Sequence, residues 1–240
     1  YINVEFRKSF TIIEAEDGED GLKQAFKYIP DLVISDVSMP VMDGLEMSEV
    51  LKKDERTSHI PIVLLTAHGT HAHQKKGFQI GVEDFITKPF SSDILEIRIN
   101  NLLQSRKDLQ DKFSKEFKVE PSGLPVSSMD QTFLNRAMEV IEQNLNNPQF
   151  SAIVFAEEMC MSRVHLYRKL KALTNESVSG FVKVVRLKLA AELIRDKKMR
   201  IKEAAYTVGY SDPKYFSKCF KQQFGVNPSE YTESALEEDS

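Results

Sequence analysis

Between Phe10 and Thr87 the chain alternates two kinds of segment, and from Ser128 onward the alternation is gone. Short β-branched runs (Thr11 to Glu14, Leu32 to Ser35, Ile62 to Leu65, Phe85 to Thr87) are separated by helix-length amphipathic stretches (Gly21 to Tyr28, Leu45 to Lys53, Ala72 to Ile80). Parallel strands need a long crossover between neighbours, and helical crossovers cover both faces of the sheet they connect. The expected fold class is therefore α/β then all-α: a doubly wound parallel sheet, followed by a purely helical domain. A last amphipathic helix, about Asp93 to Phe117, runs into the Pro/Gly/Ser linker "VEPSGLPVSS" that separates the two.

Charge divides the chain in the same place. The net charge is −4, yet residues 1–125 hold 16 Lys+Arg against 21 Asp+Glu, while residues 162–221 hold 15 against 5. A block with a balance of +10 attracts a polyanion, which directs attention to nucleic acid for the helical half. No apolar run reaches the ~18 residues of a membrane span, and no signal peptide opens the sequence. The two cysteines, Cys160 and Cys219, lie in apolar helical patterns and read as reduced residues of a cytoplasmic protein, with Cys219 in the core.

The stretch "DLVISDVSMPVMDG" ends an apolar run on a carboxylate, Asp36. In open α/β sheets ligands bind outside the carboxyl ends of the strands, so an acid placed there lies on the floor of a crevice. It can act as a nucleophile toward phosphorus. Thr66 ends "PIVLLT" and Lys88 ends "DFITKP", so three consecutive strand ends offer a carboxylate, a hydroxyl and a cation at one edge.

With "SDVSMPVMDG", "LLTA" and "DFITKPF" in this order and spacing, residues 1–105 resemble the receiver domain of a two-component response regulator. The resemblance implies a flavodoxin-like sheet of strand order 2-1-3-4-5. It assigns Asp36 as phosphoacceptor, Thr66 as the hydroxyl that moves toward the phosphoryl group, Lys88 as its salt-bridge partner and Phe85 as the switch aromatic. It implies a cis Lys88–Pro89 bond and a Mg2+ cofactor bound by Asp36 and the Ser38 backbone carbonyl. The family's first strand, with its Mg2+-binding acidic pair, is not among these residues, so the receiver is expected to be N-terminally incomplete. Phe6 and Phe10 then read as the tail of the helix that follows that strand.

The helical half contains a repeat. Ala156 and Ser162 recur as Ala205 and Ser211 after 49 residues, Leu166 and Leu170 as Phe216 and Phe220 after 50. Each copy reads as a short helix, a tight turn and a second helix capped by Ser162 or by Ser211-Asp212. In the first copy Arg163, Tyr167, Arg168 and Lys171 project away from Leu166 and Leu170. In the second, Lys214, Lys218 and Lys221 lie opposite Tyr215, Phe216, Cys219 and Phe220. Cationic second helices suit major-groove insertion and phosphate contact. The helix in "SVSGFVKVVRLKLAAELIRD" spaces them for successive grooves.

On the text "RIKEAAYTVGYSDPKYFSKCFKQQFGVNPSEY", residues 128–232 resemble the AraC-type DNA-binding domain. The resemblance assigns base-edge contacts to Val164, Tyr167 and Arg168, and to Pro213, Lys214 and Lys218, with Arg163 also on the binding face. Thr232 stands where the family usually has an arginine. The expected organisation is a receiver (1–105), a helical connector and linker (106–127), the DNA-binding domain (128–232) and an acidic tail (233–240). The expected function is a phosphorylation-controlled, sequence-specific transcription regulator, itself no enzyme. It resembles the output end of hybrid two-component systems, many of which control glycan-utilisation genes; a free-standing cytoplasmic response regulator is the alternative. Implied partners are double-stranded DNA, a sensor histidine kinase in cis or in trans, and a second copy in an active homodimer. In the hybrid case the chain is the cytoplasmic end of an inner-membrane sensor. The histidines of "AHGTHAH" (His68, His71, His73) read as a solvated loop, and "EDGED" and "ALEEDS" as exposed acidic runs.

Overall fold

A computed structural model describes residues 6–67, 71–115, 127–147, 149–196 and 198–231. The chain divides into two units, Tyr1–Lys107 and Asp108–Ser240. Among the described residues no helix is long and apolar enough to cross a membrane.

In the first unit, strands β1 (Val33–Asp36), β2 (Ile62–Thr66) and β3 (Asp84–Thr87) pair in parallel in the order β1-β2-β3. Helix α1 (Gly18–Tyr28) precedes them, α2 (Gly44–Lys53) and α3 (His71–Ile80) make the crossovers, and α4 (Ser92–Lys115) follows β3. All five residues of β2 are buried. Because successive side chains point to opposite faces, Ile62 and Leu64 join Ala25, Leu45 and Leu51 in one core, while Val63 and Leu65 join Phe6, Ile86, Leu95 and Ile99 in the other. Two cores on one sheet are what the expected doubly wound arrangement requires.

One expected strand is corrected. Thr11 to Glu14 has no ladder, and Ile13 is 43% exposed. A β-branched run becomes a strand only where a neighbour pairs with its N–H and C=O groups, and among the described residues none does so here. The histidine reading is corrected as well: His71 and His73 lie in the first turn of α3 rather than in a loop, and His68 falls outside the described residues. The "EDGED" run is a helix start, with the Asp17 side chain accepting from the Asp20 N–H at 2.9 Å. Most of the linker and the acidic tail fall outside the described residues, although Ser127, at the end of the linker, caps the next helix.

Among the described residues from 127 onward, the second unit has six helices: α5 (Ser128–Gln143), α6 (Ala152–Glu158), α7 (Arg163–Thr174), α8 (Val178–Arg195), α9 (Ile201–Thr207) and α10 (Pro213–Phe224). The repeat read from the sequence covers one helix more per copy than expected, since α5-α6-α7 and α8-α9-α10 correspond at an offset of about 50. Ser127 and Ser177 cap α5 and α8. Leu134, Ala137, Val140 and Ile141 are buried in one copy, and Val184, Leu187, Ala190 and Ala191 are buried at the matching positions of the other. Phe181, Val184 and Val185 pack α8 into the first core, while Leu187, Ala190, Ala191 and Ile194 pack it into the second. Spanning roughly 27 Å at 1.5 Å per residue, α8 is thus the shared spine.

The two tight turns are built alike. The Met161 N–H donates to the Ala156 carbonyl and the Tyr210 N–H to the Ala205 carbonyl, both at 2.9 Å. Each turn passes through a left-handed residue, Cys160 (φ 54°) in the first and Gly209 (φ 83°) in the second. Cys160 is therefore exposed in a turn rather than part of a helix, whereas Cys219 is buried. Gly209 is required twice over, because a Cβ there would stand 2.4 Å from the Leu145 carbonyl oxygen and 3.2 Å from the Arg186 guanidinium.

Candidate functional site

At the carboxyl edge of the sheet, the register pairs Asp36 with Leu65 and Thr66 with Thr87. Asp36 and Thr66 thus end adjacent strands, and the Lys88 N–H donates to the Thr66 carbonyl at 2.8 Å. Lys88 Nζ lies 2.6 Å from Asp36 Oδ1, with both side chains about two-fifths exposed. The Lys88–Pro89 bond is cis. The carboxylate therefore faces solvent while held by a cation, which leaves an oxygen accessible to an incoming electrophile and supplies positive charge beside it. Thr66 is buried and Ser38 exposed.

The chain reaches this geometry through the turn after β1. Asp43 caps α2 by accepting from the Glu46 N–H at 2.8 Å, and Glu46 accepts from the Asp43 N–H in return. The Gly44 N–H donates to the Val37 carbonyl at 2.9 Å, and a Cβ on Gly44 would lie 2.2 Å from the Asp36 carbonyl oxygen. Only glycine lets the helix start so close to the acid. Val41, in the same turn, is 75% exposed with φ 64°, a conformation that β-branched residues rarely adopt.

Phe85 is half-buried on β3, its ring edge-to-face with Phe78 at 5.3 Å. Beneath it is Gly77, where a Cβ would stand 2.3 Å from the Phe85 Cζ. Among the described residues no group of three or more His, Cys, Asp or Glu side chains is placed to hold a metal ion. Mg2+ is octahedral and keeps several waters, so it is commonly held by one or two carboxylates; Asp36 with the Ser38 carbonyl would supply two of its six ligands.

The second unit offers two surfaces. On α7, Arg163 and Lys171 are exposed, Val164 is 55% and Tyr167 46% exposed, and Arg168 is half-buried, while Leu166 and Leu170 are fully buried. On α10, Lys214, Lys218 and Lys221 are exposed, Pro213 is half-buried, and Phe216, Cys219 and Phe220 are buried. Tyr215 departs from the expected inward placement. It is 58% exposed, and a hydrogen bond to Cys219, one turn on, holds its phenol above the usual tyrosine range. Position 215 lies at the border of the helix's two faces, where a long polar-tipped ring tilts outward.

Sequence reasoning missed Lys169. In a helix of outward cations it is fully buried, with Nζ 2.7 Å from Asp130 Oδ1. Its place between Arg168 and Leu170 on the apolar side of the helical wheel was the available signal. Half-buried Arg186 donates to the Leu145 carbonyl, and burial lowers its pKa.

Residues 3–100 match the response regulator receiver domain family, and residues 155–234 match the helix-turn-helix domain family. Histidine kinase P4 of Formosa agariphila is 40% identical over 94% of this chain, which spans 16% of that protein. The transcriptional regulatory protein ResD of Bacillus subtilis is 35% identical over 41% of this chain and 40% of its own length. The solved receiver domain of the Francisella response regulator 1452 is 30% identical, with a TM-score of 0.40, over 43% of this chain and 84% of that one. The chain spans less than half the length of the curated relatives it matches.

Proposed function

We propose, for a chain that belongs to the response-regulator family and joins its receiver domain to an AraC-type helix-turn-helix domain, that Asp36 accepts a phosphoryl group and thereby controls sequence-specific binding to double-stranded DNA. The observation that carries this reading is the Asp36 carboxylate at the end of β1, 2.6 Å from Lys88 Nζ and on the strand beside the one that Thr66 ends. A carboxylate oxygen would attack phosphorus and the donor's bond to phosphorus would break. Lys88 is placed to stay with the charge that develops. Roughly two added negative charges would bias a two-state equilibrium in which Thr66 and Phe85 report the state. The Mg2+ of a complete receiver would use Asp36 and the Ser38 carbonyl as two of its ligands.

For DNA, the proposed base contacts are Val164, Tyr167 and Arg168 from α7 and Pro213, Lys214 and Lys218 from α10, with Arg163 on the same face. Arg168 and Lys218 are the hydrogen-bonding readers; Val164 and Pro213 offer apolar contact. The proposed domain bounds are 1–105, 106–127, 128–232 and 233–240. The phosphoryl donor is a sensor histidine kinase and the active form a homodimer. The 40% identity to a histidine kinase over 94% of this chain supports a hybrid origin. In that setting the kinase is in cis and the controlled genes serve glycan utilisation.

Intact-mass measurement of the full-length protein after phosphorylation tests the central claim. The wild type is expected to gain one labile phosphate on the receiver and Asp36→Ala to gain none; a surviving labile phosphate on that domain of the variant rejects the assignment.

A further inference from the structure

Lys169 and Asp130 form a buried ion pair between α7 and α5. Lys169 Nζ is 2.7 Å from Asp130 Oδ1, and the two side chains are 0% and 4% exposed. Ser127 Oγ donates to Asp130 Oδ2 at 2.8 Å and accepts from the Asp130 N–H at 3.1 Å, while the Phe133 ring lies 5.0 Å from the ammonium. The carboxylate is thus fixed by the start of α5, and the ammonium comes from the middle of α7.

The repeat provides an internal control. At the 50-residue offset, Asp130 corresponds to Gly180 and Lys169 to Cys219, a buried residue in the second core. The second copy forms the same three helices with no ion pair at that place. The fold therefore does not require it, and a buried ion pair is often no more stabilising than the apolar residues that could replace it. What such a pair does provide is register, since any rotation of α7 would leave a charge buried without its partner. Each residue turns a helix by 100°, so the azimuth that puts Lys169 on Asp130 also decides how Val164, Tyr167 and Arg168 are presented.

We propose that Asp130 and Lys169 are positioning residues that fix the rotation of α7, so that the first helix-turn-helix unit reads DNA sequence rather than only its charge. This rests on the reading of α7 as a base-contacting helix.

The test uses the full chain and a library of DNA duplexes of randomised sequence, with three readouts: thermal stability, total retention of the unselected library, and enrichment of the best selected sequence. In Asp130→Leu/Lys169→Met, stability and total retention are expected to match the wild type, while enrichment falls about tenfold or more, the size of one lost bidentate base contact. Asp130→Asn/Lys169→Gln keeps polar groups of similar size without charge and supplies the same readouts if the apolar pair does not fold. Wild-type enrichment in a folded variant would overturn the positioning role and leave the pair a packing feature. A wild type that binds the library yet enriches no sequence would instead remove the base-reading premise.

Discussion

Val41 occupies a backbone conformation that its side chain opposes, in the turn that carries the chain from the Asp36 strand to α2. With φ at 64° and three-quarters of its surface exposed, it gains little from burial and bears the strain of a β-branched residue in the left-handed region. Val41→Gly is expected to raise stability by about 1 kcal/mol despite the extra freedom of glycine when unfolded, because the strain removed is 1–2 kcal/mol or more. A denaturation midpoint equal to or below that of the wild type would contradict it. The "MPVMDG" text showed a turn beside the acid; it did not show which residue carries the strain, since that depends on where α2 must start. Asp36 and Lys88 were legible as a pair from their strand-end positions. Lys169 was not, because a lysine announces charge and only packing against α5 reveals its burial.

Helix α3 and the two outward helices of the repeat show how an element constrains the residue it faces. Gly77 lies inside α3 with no left-handed backbone demand, and its missing Cβ makes room for the Phe85 ring. Gly77→Ala would gain up to about 1 kcal/mol of helix propensity and lose about 1 to 3 kcal/mol to overpacking. Net destabilisation is expected, turning to stabilisation when Phe85→Ala is also present; the two unfolding curves measured with and without Phe85→Ala check it. On α7 and α10, Arg168→Ala or Lys218→Ala is expected to cost about 1 to 3 kcal/mol on a selected DNA site and much less on random DNA. Equal losses on both, by titration, would reduce these residues to phosphate contacts. Helix and strand positions were readable because periodicity and caps are local. The Thr11 to Glu14 run was misread because a strand is defined by its neighbour, and Tyr215 because a residue at the border of two faces goes where its tip finds a partner.

At the scale of the molecule, each unit encloses its own cores, and in the second α8 joins two of them. Glu142, at the end of α5, has its pKa raised by burial and by the like charges of Glu192 on α8 and Glu139. A carboxyl that holds its proton more tightly when folded loses stability as pH rises from about 4, the ordinary glutamate value, through its raised value. The penalty grows across that range and is larger at neutral pH than in acid. Glu142→Gln should therefore melt at a higher temperature than the wild type at pH 7, with the gap closing as pH falls below about 4; a gap that does not change with pH would exclude this origin. The alternation of β1, β2 and β3 with helices, the acid, hydroxyl and cation at three strand ends, the 50-residue repeat and the opposed charges of the two halves were determined by sequence alone, because each is a matter of local period, residue type or count. The seating of Phe85 on Gly77, the burial of Lys169 and the lack, among the described residues, of a ladder at Thr11 to Glu14 were decided only by tertiary structure, because each depends on what a distant segment brings within a few ångströms.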